Sequence, residues 1–107
     1  KAAYGKGLFV GVVIDGNEIL ISEDGVSWKM VYESNVRLST VKYFDKHQLF
    51  VVVGREGEIL ISEDGNNWQR EEKVITTDLI DVAMVENGDL IVVGEIGIVL
   101  RGRRKWN

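Results

Sequence analysis

An eight-residue string occurs twice in this chain. Residues 18–25 and residues 58–65 both read EILISEDG, forty positions apart, and a tryptophan follows each copy at the same offset, Trp28 and Trp68. Identity of that length within 107 residues marks an internal duplication. A repeat of about forty residues is the size of one supersecondary unit, which buries its faces against its neighbours rather than by itself. The likeness continues upstream. Leu8-Phe9-Val10 matches Leu49-Phe50-Val51, with one extra residue in the first hairpin, and Leu38-Ser39-Thr40-Val41 matches Leu79-Ile80-Asp81-Val82. A worn third copy follows: Val92-Val93-Gly94 parallels Val52-Val53-Gly54, and Gly97-Ile98-Val99-Leu100 parallels Gly57-Glu58-Ile59-Leu60. Its tail, Arg101 to Trp106, keeps a tryptophan, lacks the Ser-Glu-Asp portion and is two residues shorter.

Each unit reads as four strands. In the middle unit, residues 37–44, 48–54, 57–62 and 67–73 are rich in Val, Ile, Leu, Phe, Tyr and Trp, and short turns at Asp45-Lys46-His47, Arg55-Glu56-Gly57 and Asp64-Gly65-Asn66 separate them. Strands recurring about every ten residues are an all-β signature and leave no room for helices of ordinary length. Two features favour a propeller over a sandwich. Val51-Val52-Val53 and Ile91-Val92-Val93 are unbroken apolar runs, as expected for strands covered on both faces. Four strands in a repeat of about forty residues is also the pattern of a propeller blade. The chain is therefore expected to form about three four-stranded antiparallel blades of a β-propeller, over residues 1–34, 35–74 and 75–107.

The string Ser22-Glu23-Asp24-Gly25-Val26-Ser27-Trp28 resembles the Asp-box, or bacterial neuraminidase repeat, whose usual form is Ser-x-Asp-x-Gly-x-x-Trp. Both copies here, Ser22-x-Asp24-Gly25-x-x-Trp28 and Ser62-x-Asp64-Gly65-x-x-Trp68, are one residue shorter between Asp and Gly. This compact form is similar to hairpins of bacterial, phage and photosystem-assembly-type propellers. The resemblance spans the whole chain as a repeat and implies architecture; it does not select an activity, because propellers host many. The role of the motif follows from its chemistry. Aspartate in a turn accepts hydrogen bonds from backbone N–H groups just ahead of it, serine adds a local bond, glycine adopts positive φ, and tryptophan brings a large apolar body to the fourth strand. These eight residues are read as structural. A calcium loop is the wrong reading, since calcium takes about six to eight oxygen ligands.

A likeness to sialidases raises a second function, a fragment of a glycoside hydrolase whose catalytic residues lie in missing blades. Such enzymes use an arginine triad, a Tyr–Glu pair and an acid/base Asp. Arg37, Arg55, Arg70, Arg101, Arg103 and Arg104 show no matching context, and Tyr4, Tyr32 and Tyr43 fall in strand-like positions. Glu71 and Glu72 are adjacent, so on a strand they point to opposite faces. His47 stands alone in a turn, without a nucleophile, an orienting acid or metal-binding companions. Gly5-x-Gly7 and Gly94-x-x-Gly97 precede strands and are turn glycines, not phosphate loops. No catalytic residue, cofactor or metal site is assigned.

Composition narrows the partners. The net charge of −4 with interspersed signs argues against nucleic acid; the basic cluster Arg101, Arg103, Arg104 and Lys105 reads as a solvated last strand or tail. There is no cysteine, so disulfides and thiolate metal sites are excluded. No apolar run has the length of a membrane span, and Lys1-Ala2-Ala3-Tyr4-Gly5 is no signal peptide, which leaves the compartment open. Closed propellers typically have about four to eight blades. Three blades would leave two apolar end faces in water, so either a longer chain supplies the missing blades or copies assemble, two chains making a six-bladed ring. The expected function is a non-catalytic binding or scaffold module for a protein or glycan. Its candidate surface is the hairpin tips Asp15, Asn17, Arg55, Glu56 and Glu95.

Overall fold

The computed structural model describes residues 1–13, 15–72, 76–97 and 99–102. It forms three antiparallel meanders, each pairing its strands in sequence order. The first sheet holds β1 (Ala2–Gly5), β2 (Leu8–Val12), β3 (Glu18–Ser22) and β4 (Lys29–Glu33). The second holds β5 (Leu38–Phe44), β6 (Leu49–Gly54), β7 (Ile59–Ser62) and β8 (Gln69–Arg70). The third holds β9 (Leu79–Met84), β10 (Leu90–Gly94) and β11 (Val99–Gly102). Single 3₁₀ turns at Asp45–His47 and Arg55–Gly57 are the only helical segments among the described residues. The all-β expectation holds, and the strands of the middle unit fall where its sequence places them, with one difference. Of the fourth strand, expected over 67–73, the described residues form the two-residue pair Gln69–Arg70, and residue 73 lies outside them. Both residues are exposed, so no apolar face holds a longer strand on this edge, and a short charged edge strand also resists further pairing. Arg103, Arg104, Lys105 and Trp106 lie outside the described residues.

The sheets stack face to face through two apolar layers. Between the first and second sheets, Val10, Val12 and Ile19 meet Val41, Phe50, Val52 and Leu60. Between the second and third, Val51, Val53, Ile59 and Ile61 meet Val82 and Val92. Strand β6 serves both layers. Successive side chains on a strand point to opposite faces, so Phe50 and Val52 enter one layer while Leu49, Val51 and Val53 enter the other. All five are fully buried. The unbroken run at 51–53 is therefore dry on both sides.

Small residues and polar contacts set the spacing. A Cβ built on Gly5 would lie 2.5 Å from the ring of Tyr43. The first sheet thus accepts a tyrosine of the second only because β1 ends in glycine. At the turn end of the stack, Lys6 Nζ donates to the carbonyl oxygen of Glu63 at 2.8 Å. Between the second and third sheets, His47 Nε2 lies 3.0 Å from the carbonyl oxygen of Glu86. On adjacent first strands, Lys42 and Asp81 pair at 2.9 Å, and this hydrogen bond holds the Asp81 carboxyl below its ordinary range.

Candidate functional site

The two Ser-x-Asp-Gly hairpins have the same geometry. Asp24 Oδ1 accepts from the N–H groups of Val26 and Ser27 at 2.8 and 2.9 Å and from Ser22 Oγ at 3.0 Å. Asp64 Oδ1 accepts from Asn66 and Asn67 N–H at 2.8 Å and from Ser62 Oγ at 3.0 Å, and its Oδ2 accepts from Asn67 Nδ2 at 2.8 Å. The serine Oγ in turn accepts the glycine N–H, at 2.8 Å for Gly25 and 2.7 Å for Gly65. Both glycines sit at φ +81, where a Cβ is disfavoured. At Gly65 a Cβ would also meet Leu8 Cδ2 at 2.7 Å, so that turn is pressed beneath the first sheet. Each tryptophan donates Nε1 to its glycine carbonyl, at 3.2 Å for Trp28 and 2.9 Å for Trp68.

These bonds stabilise the ionised aspartates. The N–H groups of Ser27 and Val26 with the Ser22 hydroxyl lower the Asp24 carboxyl. The Asn67 N–H, with the Asn67 side chain, the Asn66 N–H and Ser62, holds Asp64 far below the ordinary carboxylate range, against a smaller opposing effect of burial. A carboxylate so occupied is a turn lock rather than a proton carrier. Asp64→Ala is expected to lower stability by about 1–2 kcal/mol through the lost turn bonds, read as a drop in the midpoint of a urea melt. A depressed folded value means that this stabilisation is complete above the unfolded value near about 3.9 and is lost as pH falls through the folded one. The difference between parent and variant should therefore shrink in melts run below about pH 4.

The tips form one row at the opposite end of the stack. Leu38 N–H donates to Gly16 O, Arg55 N–H to Arg37 O, and Glu95 N–H to Asp78 O, at 2.8, 2.9 and 2.9 Å. Asn17 Nδ2 donates to Ser34 O at 2.9 Å. Glu56 N–H donates to Asp78 Oδ1 at 2.9 Å, and Arg55 pairs with Asp78 at 3.5 Å. Asn17, Arg55 and Glu56 thus hold the segments that carry the chain from one sheet to the next. Asp15, Arg55, Glu56 and Glu95 also remain exposed. The structure brings these five tips together on one end and sets them apart from the two aspartate hairpins.

One polar cluster escaped the sequence reading. Glu58 is fully buried. Its Oε2 accepts from Ser34 Oγ at 2.8 Å and from an Arg70 terminal nitrogen at 3.1 Å. Arg70 Nε lies 3.0 Å from Oε1, acting through charge rather than through an aligned hydrogen bond. The hydrogen bond to Glu58 keeps the Arg70 guanidinium more basic than usual. The repeat holds one difference at this place: Arg70 stands forty residues after Met30.

Clefts are shallow and repeat with the hairpins. One of 390 Å³ is bordered by Leu8, Ile21, Asp24 and Trp28, and its counterpart of 220 Å³ by Leu49, Ile61, Asp64 and Gln69. A third cleft, of 380 Å³, is mostly apolar and opens on the outer face of the first sheet beside Val13, Leu20 and Trp28. Among the described residues, no three His, Asp or Glu side chains gather as a metal site, and no helix is long and apolar enough to cross a membrane. No family model matches the chain, and no curated protein or solved structure is found to be similar to it.

Proposed function

We propose that the three sheets are blades of an Asp-box-type β-propeller, and that the chain is a non-catalytic binding or scaffold module whose ring is completed by self-association. The observation that carries this reading is the contrast between the middle sheet and its neighbours. The middle sheet is covered on both faces, down to full burial of Val51, Val52 and Val53. The first sheet leaves Tyr4, Trp28 and Met30 exposed on its outer face, at 56%, 40% and 49%. A stack whose middle sheet buries both faces and whose end sheets each bury only one behaves as part of a repeating array. An apolar face of this kind in water marks an interaction surface.

The row of tips is the candidate surface for a glycan or protein, because loops carried on a rigid stack are where propellers and other scaffolds place recognition. The hydrolase-fragment reading rests on the resemblance alone. Static light scattering tests the assembly: the expected result is twice the 12.0 kDa chain mass, and a well-folded monomer at micromolar concentration would overturn it. A glycan array then separates a lectin from a protein scaffold, with Glu56→Ala and Glu95→Ala expected to weaken any bound glycan without changing the melt.

A further inference from the structure

The first sheet's outer face is a replica of a face that the same molecule already covers. In the first sheet the rings of Tyr4 and Phe9 lie 4.6 Å apart at 55°, and Phe9 and Trp28 lie 6.4 Å apart at 54°. In the second sheet Tyr43 and Phe50 lie 4.6 Å apart at 48°, and Phe50 and Trp68 lie 6.4 Å apart at 55°. The second set is roofed by Val10, Val12 and Ile19 of the first sheet, and there Phe50 and Leu60 are fully buried. Phe9 and Leu20, at the matching positions of the first sheet, are only half-buried. The internal contact therefore shows the kind of surface that fits the open one.

The third sheet carries that surface. Val10 and Val12 of the first sheet correspond to Val51 and Val53 of the second and to Ile91 and Val93 of the third. The first two pairs each roof the next sheet along. Ile91 and Val93 alternate with Leu90 and Val92, which face the second sheet. Ile91 and Val93 thus lie on the outer side and are half-buried.

We infer that two copies dock head to tail, the Ile91 and Val93 face of one on the Tyr4, Phe9 and Leu20 face of the other. This contact uses different surfaces on the two partners and closes when it is made twice, giving a two-fold ring of six sheets. The inference rests on the proposed self-association and adds its surfaces and register.

Sedimentation equilibrium on the full chain and two variants tests it, with far-UV circular dichroism as a check on folding. Leu20→Glu, on one docking face, is expected to abolish the dimer while keeping the β spectrum. Ile91→Glu, on the other, is expected to do the same. A dimer that ignores either substitution overturns this docking while leaving self-association in place. A parent chain that sediments as a folded monomer overturns both.

Discussion

Phe50→Ala is expected to lower the stability of the folded chain by about 3–5 kcal/mol, the usual cost of emptying a buried aromatic site. Phe50 is fully buried, with Tyr43 and Trp68 beside it in its own sheet and the first sheet above it. The first sheet rests on this ring, and strand β6 is too closely packed on its other face to move into the void. The duplication supplies an internal control. Phe9 has the same aromatic neighbours at the same spacing, but its outer side is open. Phe9→Ala should cost the monomer no more than about half as much, since less apolar area leaves water there. Urea melts of both variants at a concentration too low for association would measure the difference. Equal losses would show that burial between the sheets is not what makes Phe50 important.

Arg70→Met is the second large effect, set by the range of about 3–5 kcal/mol expected when one partner of a buried ion pair is removed and the other stays. Methionine is a fair choice because Met30 occupies the matching position of the first sheet. Arg70 is itself 42% exposed, and water reaching it places the loss toward the lower part of that range. The cost arises on Glu58, left with only Ser34 to satisfy a carboxylate that has no access to solvent. Adding Glu58→Gln should recover most of the loss, because glutamine keeps an acceptor for the Ser34 hydroxyl and removes the charge. Thermal melts of the single and double variants decide the matter. A single variant as stable as the parent would mean that the pair adds nothing to the junction between the first two sheets.

Much of this architecture was legible from the residues, and for identifiable reasons. The run Val51-Val52-Val53 could be read as covered on both faces because alternation is the mark of a half-wet strand and here it is missing. The bonds of Asp24 and Asp64 could be drawn before any coordinates, since a short acceptor ahead of a glycine turn meets only a few donors. What escaped depends on long-range packing. Glu58 begins the repeated string and looks like a solvated strand end; only the fold brings Ser34 and Arg70 to it. The tips Asn17, Arg55 and Glu56 look like free loop ends and instead secure the passages between sheets. The brevity of β8 was hidden because Trp68 suggests a longer strand, whereas the ring packs on Phe50 from just outside the ladder.

The identical octapeptides have a further consequence for how the chain reaches this state. Strands β3 and β7 share the run Ile-Leu-Ile-Ser, preceded by Glu in both copies, so neither carries an address that tells it which sheet to join. Either would find the correct alternation of side chains beside β2 or beside β6. Only the flanks differ, Gly11 against Val52 and Met30 against Arg70. Refolding at high concentration should accordingly populate exchanged hairpins between molecules, the characteristic error of repeat chains, and substituting the flanks alone should change how often it occurs.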